Sequence, residues 1–182
     1  MKITPIDYRV RGVGYVIRSA EMEDAENLSS IRVKIDGETE YLDREKGEAF
    51  IDAFSFKKII KEDTKAPTNL FLVAEVNGRI IGYARCEGNQ LKRFSHKITF
   101  GVGVLNDYWG YGIGKNLLKE SIIWADRNNV KKIMLSVTGT NTKAIKLYHN
   151  HGFEVEGILK KDKQLSEGHY ENTVVMGRFQ GE

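Results

Sequence analysis

VGVLNDYWGYGIGKNLL, residues 102 to 118, is the stretch from which the fold can be read. Alternating valines end a strand, a polar turn follows, and Gly110, Gly112 and Gly114 open an apolar-periodic run. Alternate glycines let a backbone take positive φ and approach a ligand closely. The first N–H groups of the helix that follows have no internal partners and lie at the positive end of its dipole. Such a turn is a ready site for a diphosphate, and Lys115 adds a charge. It is also what a helix needs to pack tightly on a sheet, and the glycines alone leave both readings open. Two familiar phosphate loops are excluded. A P-loop needs GxxxxGK[ST], and here the spacing from Gly110 to Gly114 and Lys115 is one short and Asn116 stands where the hydroxyl belongs. A dinucleotide fingerprint needs GxGxxG and an acid after the next strand, and this is GxGxG with a next strand ending Ser136-Val137-Thr138.

Upstream, residues 96–104 alternate cleanly. Ile98, Phe100, Val102 and Val104 share one face; Lys97, Thr99, Gly101 and Gly103 share the other. The bare patch at Gly101 and Gly103 suits an extended ligand arm, a bulge, or a close helix contact. Residues 69–75 and 79–87 read as strands joined by Asn77-Gly78, a strong hairpin signal. A strand over 13–18 precedes them, with helices over 23–34 and 49–61 flanking an acidic stretch at 36–48. Downstream come a helix over 112–127, a strand over 132–137, a helix over 142–150 stopped at Gly152, and strands over 153–159 and 171–179. Hairpins imply antiparallel pairs, while the unit 96–137 implies one parallel pair with a right-handed crossover. The expectation is an α/β fold, a mixed, mostly antiparallel sheet with helices on both faces.

The 182 residues suit one domain, 1–182. Hydrophobic residues make up 41% and charged residues 29%, which supports a core and argues against disorder. No apolar run is long enough for a membrane span, and the first twelve residues hold no signal-peptide core. Cys86 is the only cysteine, so no internal disulfide forms, which fits a cytoplasmic setting. The net charge is +3 without a Lys/Arg-rich run, so nucleic acid is not an expected partner. His96, His149, His151 and His169 make no zinc pattern, so no metal is expected.

These residues resemble the GNAT superfamily of N-acetyltransferases over roughly residues 70–176. The family's acetyl-CoA signature, Q/R-x-x-G-x-G/A, falls on Trp109, Gly110, Tyr111, Gly112, Ile113 and Gly114. A second pattern, N-x-x-A-x-x-L-Y-x-x-x-G-F, is met at Asn141, Ala144, Leu147, Tyr148, Gly152 and Phe153. The resemblance implies a GNAT-like sheet with a splayed parallel strand pair holding acetyl-CoA. It implies that the N–H groups from Gly110 to Lys115 hold the diphosphate and that the pantetheine arm pairs with Val102, Gly103 and Val104. Asn141 would bond that arm beside Ala144 and Leu147, and Tyr148 would act as general acid toward the leaving thiolate. Asn141 also suits a helix N-cap, and Tyr148 also suits a core aromatic. Trp109 departs from the family's Gln or Arg. Ser136 and Asn172 stand where members often carry acids, and Met176 is retained.

The implied reaction moves an acetyl group from acetyl-CoA to a primary amine by direct attack. The amine must lose a proton, and Glu87, at the end of the strand beside the cofactor strand, is the leading base; His96 is a second. Either could equally be an ordinary solvated side chain. Carboxylates over 36–48 would attract a cationic amine, or form a solvated loop. A small or amino-acid-like amine is the favoured acceptor. A protein N-terminus or lysine, or a non-catalytic acyl-CoA sensor, is the alternative. A valine at Gly112 is expected to block the diphosphate. A homodimer is compatible with the family.

Overall fold

The computed structural model describes residues 1–165 and 168–181. Among these residues, β1 (Ile6–Val10), β2 (Val13–Ser19), β3 (Leu70–Val76), β4 (Arg79–Gly88), β5 (Lys97–Val104), β6 (Lys132–Thr138), β7 (Glu154–Gln164) and β8 (Tyr170–Phe179) form one sheet in the order β1-β2-β3-β4-β5-β6-β8-β7, and neighbours are hydrogen-bonded. Every pair is antiparallel except β5 (Lys97–Val104) with β6 (Lys132–Thr138). The mixed, mostly antiparallel sheet expected from the sequence is therefore present.

One strand has no counterpart in the sequence reading. β1 (Ile6–Val10) pairs with β2 (Val13–Ser19) through a turn at Arg11 and Gly12, with φ of 49° and 82°. Two consecutive positive φ values fit the hairpin geometry that twists with its strands. Arg-Gly is not a dipeptide that advertises it. The turn at Asn77 and Gly78, φ 48° and 78°, joins β3 (Leu70–Val76) to β4 (Arg79–Gly88) where the sequence placed it.

Helix limits follow local chemistry. α1 (Ala25–Asp36) begins after a short turn in which the Glu21 N–H donates to the Asp24 carboxylate at 2.7 Å. Ala25, Leu28, Ile31 and Ile35 form its buried stripe. α2 is Ala53–Lys65, four residues later than 49–61. Asp52 caps it by accepting from the Ser55 N–H at 2.7 Å. Pro67 then holds Ala66 extended and ends it. α3 (Ile113–Arg127) and α4 (Thr142–His149) lie where expected. β7 (Glu154–Gln164) runs five residues past its expected end and is bulged twice against β8 (Tyr170–Phe179).

The helices cover both faces. On one, Phe56 of α2, Phe71 of β3 and Tyr83 of β4 follow one another at 6.3 Å spacings, the first pair tilted and the second edge-to-face, and Arg85 of β4 pairs with the buried Asp63 of α2 at 2.6 Å. On the other, Cys86 of β4 meets Ser121 of α3. Burial holds that thiol's pKa up at about 12, so it is inert packing rather than a nucleophile.

Candidate functional site: a splayed strand pair and a glycine cradle

The site begins where pairing stops. β5 and β6 match at Lys97–Lys132, Ile98–Ile133 and Thr99–Met134, and no further. Beyond that point β5 runs on to Val104, still paired with β4, and β6 runs on to Thr138, still paired with β8. The two strands thus diverge, and their facing backbone groups are no longer spent on each other. The carbonyl of His96 accepts from Lys131 and Lys132, so even-numbered residues of β5 turn their polar groups toward β6. Leu105 donates to Ile81 on the opposite side, at 3.0 Å. By this period of two, Val102 and Val104 present N–H and C=O to the gap. Trp109, half exposed, donates its indole N–H to the Val104 carbonyl at 2.8 Å. The side chain that departs from the family signature therefore ties the turn to the strand.

The glycine turn sits at the wide end of the gap. Gly110 and Gly112 have φ of 84° and 72°, values that L side chains rarely adopt. The first helical bond runs from the Asn116 N–H to the Gly112 carbonyl at 2.8 Å. The N–H groups from Gly110 to Lys115 lie ahead of it, as a diphosphate cradle requires. Side chains brace this turn from behind. Asn116 donates to the Tyr15 hydroxyl at 2.7 Å, and Tyr15 donates to the Tyr111 carbonyl at 3.2 Å. Tyr15 belongs to β2, the hairpin half that the sequence places, and stacks on Tyr8 of the unexpected β1 with centroids 5.6 Å apart.

A Cβ on Gly112 would point toward Val10, Asn116 and Tyr15 at 3.7–3.8 Å, into this brace. The reason given for a valine block needs correcting, because the obstacle is backbone strain and a disturbed brace rather than a methyl in the anion's place. The bare patch on β5 also resolves. A Cβ on Gly103 would come within 3.3 Å of Ile35 and of the Tyr83 ring, so that glycine lets α1 approach, while Gly101 faces open space.

Asn141 caps α4, accepting from the Ala144 N–H at 3.2 Å, so the capping use expected as an alternative is realised and its amide NH₂ is what remains to offer. Tyr148 packs its ring on Phe153 at 5.7 Å and is only 8% exposed. Desolvation pushes its pKa up to about 12. Its hydroxyl has no hydrogen-bond partner among the described residues. Glu87 sits opposite Thr99, at the closed end of the gap, with its side chain 57% exposed and bonded to Arg85 at 3.0 Å. His96 lies just before β5, its carbonyl committed to the start of β6.

The acidic stretch before α2 is less available than its composition suggests. Asp36, with no side-chain exposure, forms a two-point bond to Arg44 at 3.0 Å. Glu38 accepts from the Asn106 N–H at 2.8 Å and lies near Lys34. Asp43 faces Lys163 at 3.5 Å. These carboxylates hold the stretch against the strand ends. Beside them lies an open cleft of about 400 Å³ walled by Glu38, Glu40, Tyr41, Trp109, Thr138 and Thr140. Tyr41 and Thr138 carry no signal in the sequence. The Thr138 hydroxyl donates to the Tyr41 carbonyl at 3.2 Å and joins the two.

Comparison with known proteins agrees with this geometry. Residues 35–153 match the model of the acetyltransferase (GNAT) family. The chain belongs to that family. An L-amino acid N-acetyltransferase of Escherichia coli is 35% identical over 108 residues, 59% of this chain and just under two thirds (66%) of the relative. A ribosomal protein bS18-alanine N-acetyltransferase of Haemophilus influenzae is 30% identical over 132 residues, 72% of this chain and 86% of the relative. A solved GNAT-family acetyltransferase from Streptococcus pneumoniae superimposes with a TM-score of 0.88 at 26% identity, covering 91% of this chain and 99% of that one. No described helix is long and apolar enough to cross a membrane, and no described His, Cys, Asp and Glu residues group as a metal site.

Proposed function

We propose that this GNAT-family protein transfers an acetyl group from acetyl-CoA to the primary amine of a small, amino-acid-like acceptor. The observation that carries the reading is the diverging backbone of the β5–β6 gap, with a glycine cradle at its wide end and the 400 Å³ cleft beside Trp109. An extended amide-bearing arm can pair with Val102 as an added strand would, the Val104 carbonyl being held by Trp109, with its diphosphate resting on the N–H groups from 110 to 115. The Val104 N–H is then placed to stabilise charge on the thioester oxygen.

Tyr148 is the proposed general acid. A pKa near 12 keeps its hydroxyl protonated across the physiological range. The leaving thiolate has a reference pKa near 8.5, so complete transfer from tyrosine runs uphill by about 5 kcal/mol. The hydroxyl therefore stabilises the thiolate chiefly by donating a hydrogen bond. Glu87 is the proposed proton acceptor, acting through water because it is exposed and partly engaged by Arg85.

The size of the cleft suits a small ligand. Its aromatic walls suit a cationic amine. Lys163, paired with Asp43 at 3.5 Å, donates to the Thr138 hydroxyl at 3.1 Å and the Glu40 carbonyl at 3.2 Å and so braces the cleft wall. The Haemophilus relative favours a second reading, in which a polypeptide's N-terminal residue enters the same cleft. The deciding experiment measures thiol release from acetyl-CoA against amino acids, simple amines and N-terminal peptides. Turnover only with peptides would overturn the small-acceptor reading, and no turnover with any amine would leave an acyl-CoA sensor.

A further inference from the structure

The β1–β2 hairpin touches three successive residues of the glycine turn. Val10 lies 3.7 Å from the Cβ position of Gly112, the Tyr15 hydroxyl bonds the Tyr111 carbonyl, and the Arg11 guanidinium lies 3.5 Å from the Cβ position of Gly110. Arg11 is exposed, sits at the tip of the hairpin at φ 49°, and has no carboxylate partner among the described residues. A non-glycine residue held at positive φ is costly unless its surroundings fix it.

The placement has the wrong sign for helix stability. Gly112 is the N-cap of α3, so Gly110 lies beside the helix's positive end, and the first turn of α3 carries no acidic residue. Lys115 is there as well. A cation at that end is repelled by the helix dipole, whereas an anion is attracted. Two unopposed cations therefore sit where the helix alone would favour carboxylates. A bound dianion reverses the sign of both interactions.

We propose that Arg11 is a phosphate-binding residue, its guanidinium closing over the cofactor's diphosphate from the side opposite the backbone N–H groups. This rests on the acetyl-CoA reading above. It assigns the N-terminal hairpin to the cofactor site: Tyr15 positions the turn and Arg11 supplies charge to the ligand. Guanidinium is suited to this because its planar fork donates two parallel hydrogen bonds to phosphate oxygens.

The test is calorimetric titration of wild type, Arg11→Ala, Arg11→Gln and Arg9→Ala with CoA and with 3′-dephospho-CoA, and ligand-observed NMR with pantetheine, which lacks phosphate. Arg9→Ala removes the same charge from the same hairpin, but its guanidinium lies by Gly14 at 3.9 Å rather than by the cradle. Arg11→Ala and Arg11→Gln are expected to weaken CoA and 3′-dephospho-CoA each by about tenfold and to flatten the salt dependence of binding. Pantetheine affinity should stay within twofold, as should CoA affinity in Arg9→Ala. Wild-type affinity for CoA in folded Arg11 variants overturns the proposal. So does an equal loss for pantetheine, which would mark a structural role, or a loss for CoA that vanishes with 3′-dephospho-CoA, which would place the guanidinium on the other phosphate. Wild type that gives no heat with CoA sinks the cofactor reading itself, a different outcome from wild type that binds and variants that bind equally.

Discussion

Tyr148→Phe removes one oxygen and should separate chemistry from binding and stability. The ring is buried against Phe153, while the hydroxyl has no partner among the described residues. Phenylalanine keeps the ring packing and leaves no protein donor or acceptor unpaired, so stability should change by less than about 0.5 kcal/mol. For a chain of this length that is a Tm shift under roughly 2 °C. CoA affinity should stay within about threefold, because the cradle and the gap are backbone. The loss belongs to kcat. General acid groups contribute about 10²–10⁴-fold. A hydroxyl whose pKa is near 12 shares its proton with a thiolate rather than surrendering it, so the lower end applies. A fall of about a hundredfold in kcat, or about 2.7 kcal/mol, is expected. Thiol release under saturating acetyl-CoA and acceptor measures it, with calorimetry for CoA alongside. A Tyr148→Phe protein that turns over within threefold of wild type refutes the assignment. So does one that loses CoA binding together with turnover, since the tyrosine would then be packing the site rather than serving the leaving group.

Gly112→Val forces a β-branched residue to φ 72° and pushes on the Tyr15–Asn116 brace, so folded protein should lose CoA affinity by at least tenfold; calorimetry showing wild-type affinity would contradict the cradle. Arg44→Ala strands the buried Asp36 carboxylate and should cost about 3 kcal/mol, a Tm drop of roughly 6–12 °C, which a scan reading under 2 °C would rule out. Glu87→Gln should lower kcat/KM by less than about tenfold at pH 7, because an exposed carboxylate acting through water is a weak base; a thousandfold fall would show a direct role. Alkaline pH should destabilise the fold. Cys86 and Tyr148 are both raised to about 12 by burial, and Tyr8, Tyr15 and Tyr83 are raised too. A raised pKa means that the native state holds the proton more tightly, so the stability is complete below pH 9 and lost as pH climbs toward 12. Thermal scans from pH 8 to 11.5 should fall steadily above about pH 9.5, and a flat profile would contradict the shifts.

What could be read from the sequence was what one contiguous segment decides. The stretch 102–118 contains a strand end, positive-φ glycines and a helix start, and each has a local signature that survives folding unchanged. Asn77-Gly78 is of the same kind. What escaped notice depends on partners distant in the chain. β1 has exposed Asp7 and Arg9 between half-buried residues and a turn with no characteristic dipeptide, so its existence rests on pairing with β2. The start of α2 is hidden in the sequence because the apolar rhythm of 49–61 continues through Ala49, which the structure holds at φ 44°. The cap at Asp52 outweighs periodicity there. The acidic stretch was visible as composition, but whether a carboxylate is free depends on Arg44, Asn106 and Lys163, which fold against it from elsewhere.

This division has a consequence for specificity. The proposed cofactor half of the site is built from two short segments, 102–115 and 141–148, and much of its chemistry is main-chain. Main-chain donors tolerate side-chain change so long as the glycines keep their φ. The proposed acceptor half is assembled from side chains on the stretch after α1, the end of β6, the turn carrying Trp109 and the end of β7. Its shape depends on ion pairs such as Asp36–Arg44 that a single substitution can undo. Drift in those pairs reshapes the cleft without touching the diphosphate site. The relatives include an L-amino acid acetyltransferase and a ribosomal-protein acetyltransferase, and on the reading proposed above the acceptor is to be sought in the cleft beside Trp109 rather than in the glycine motif.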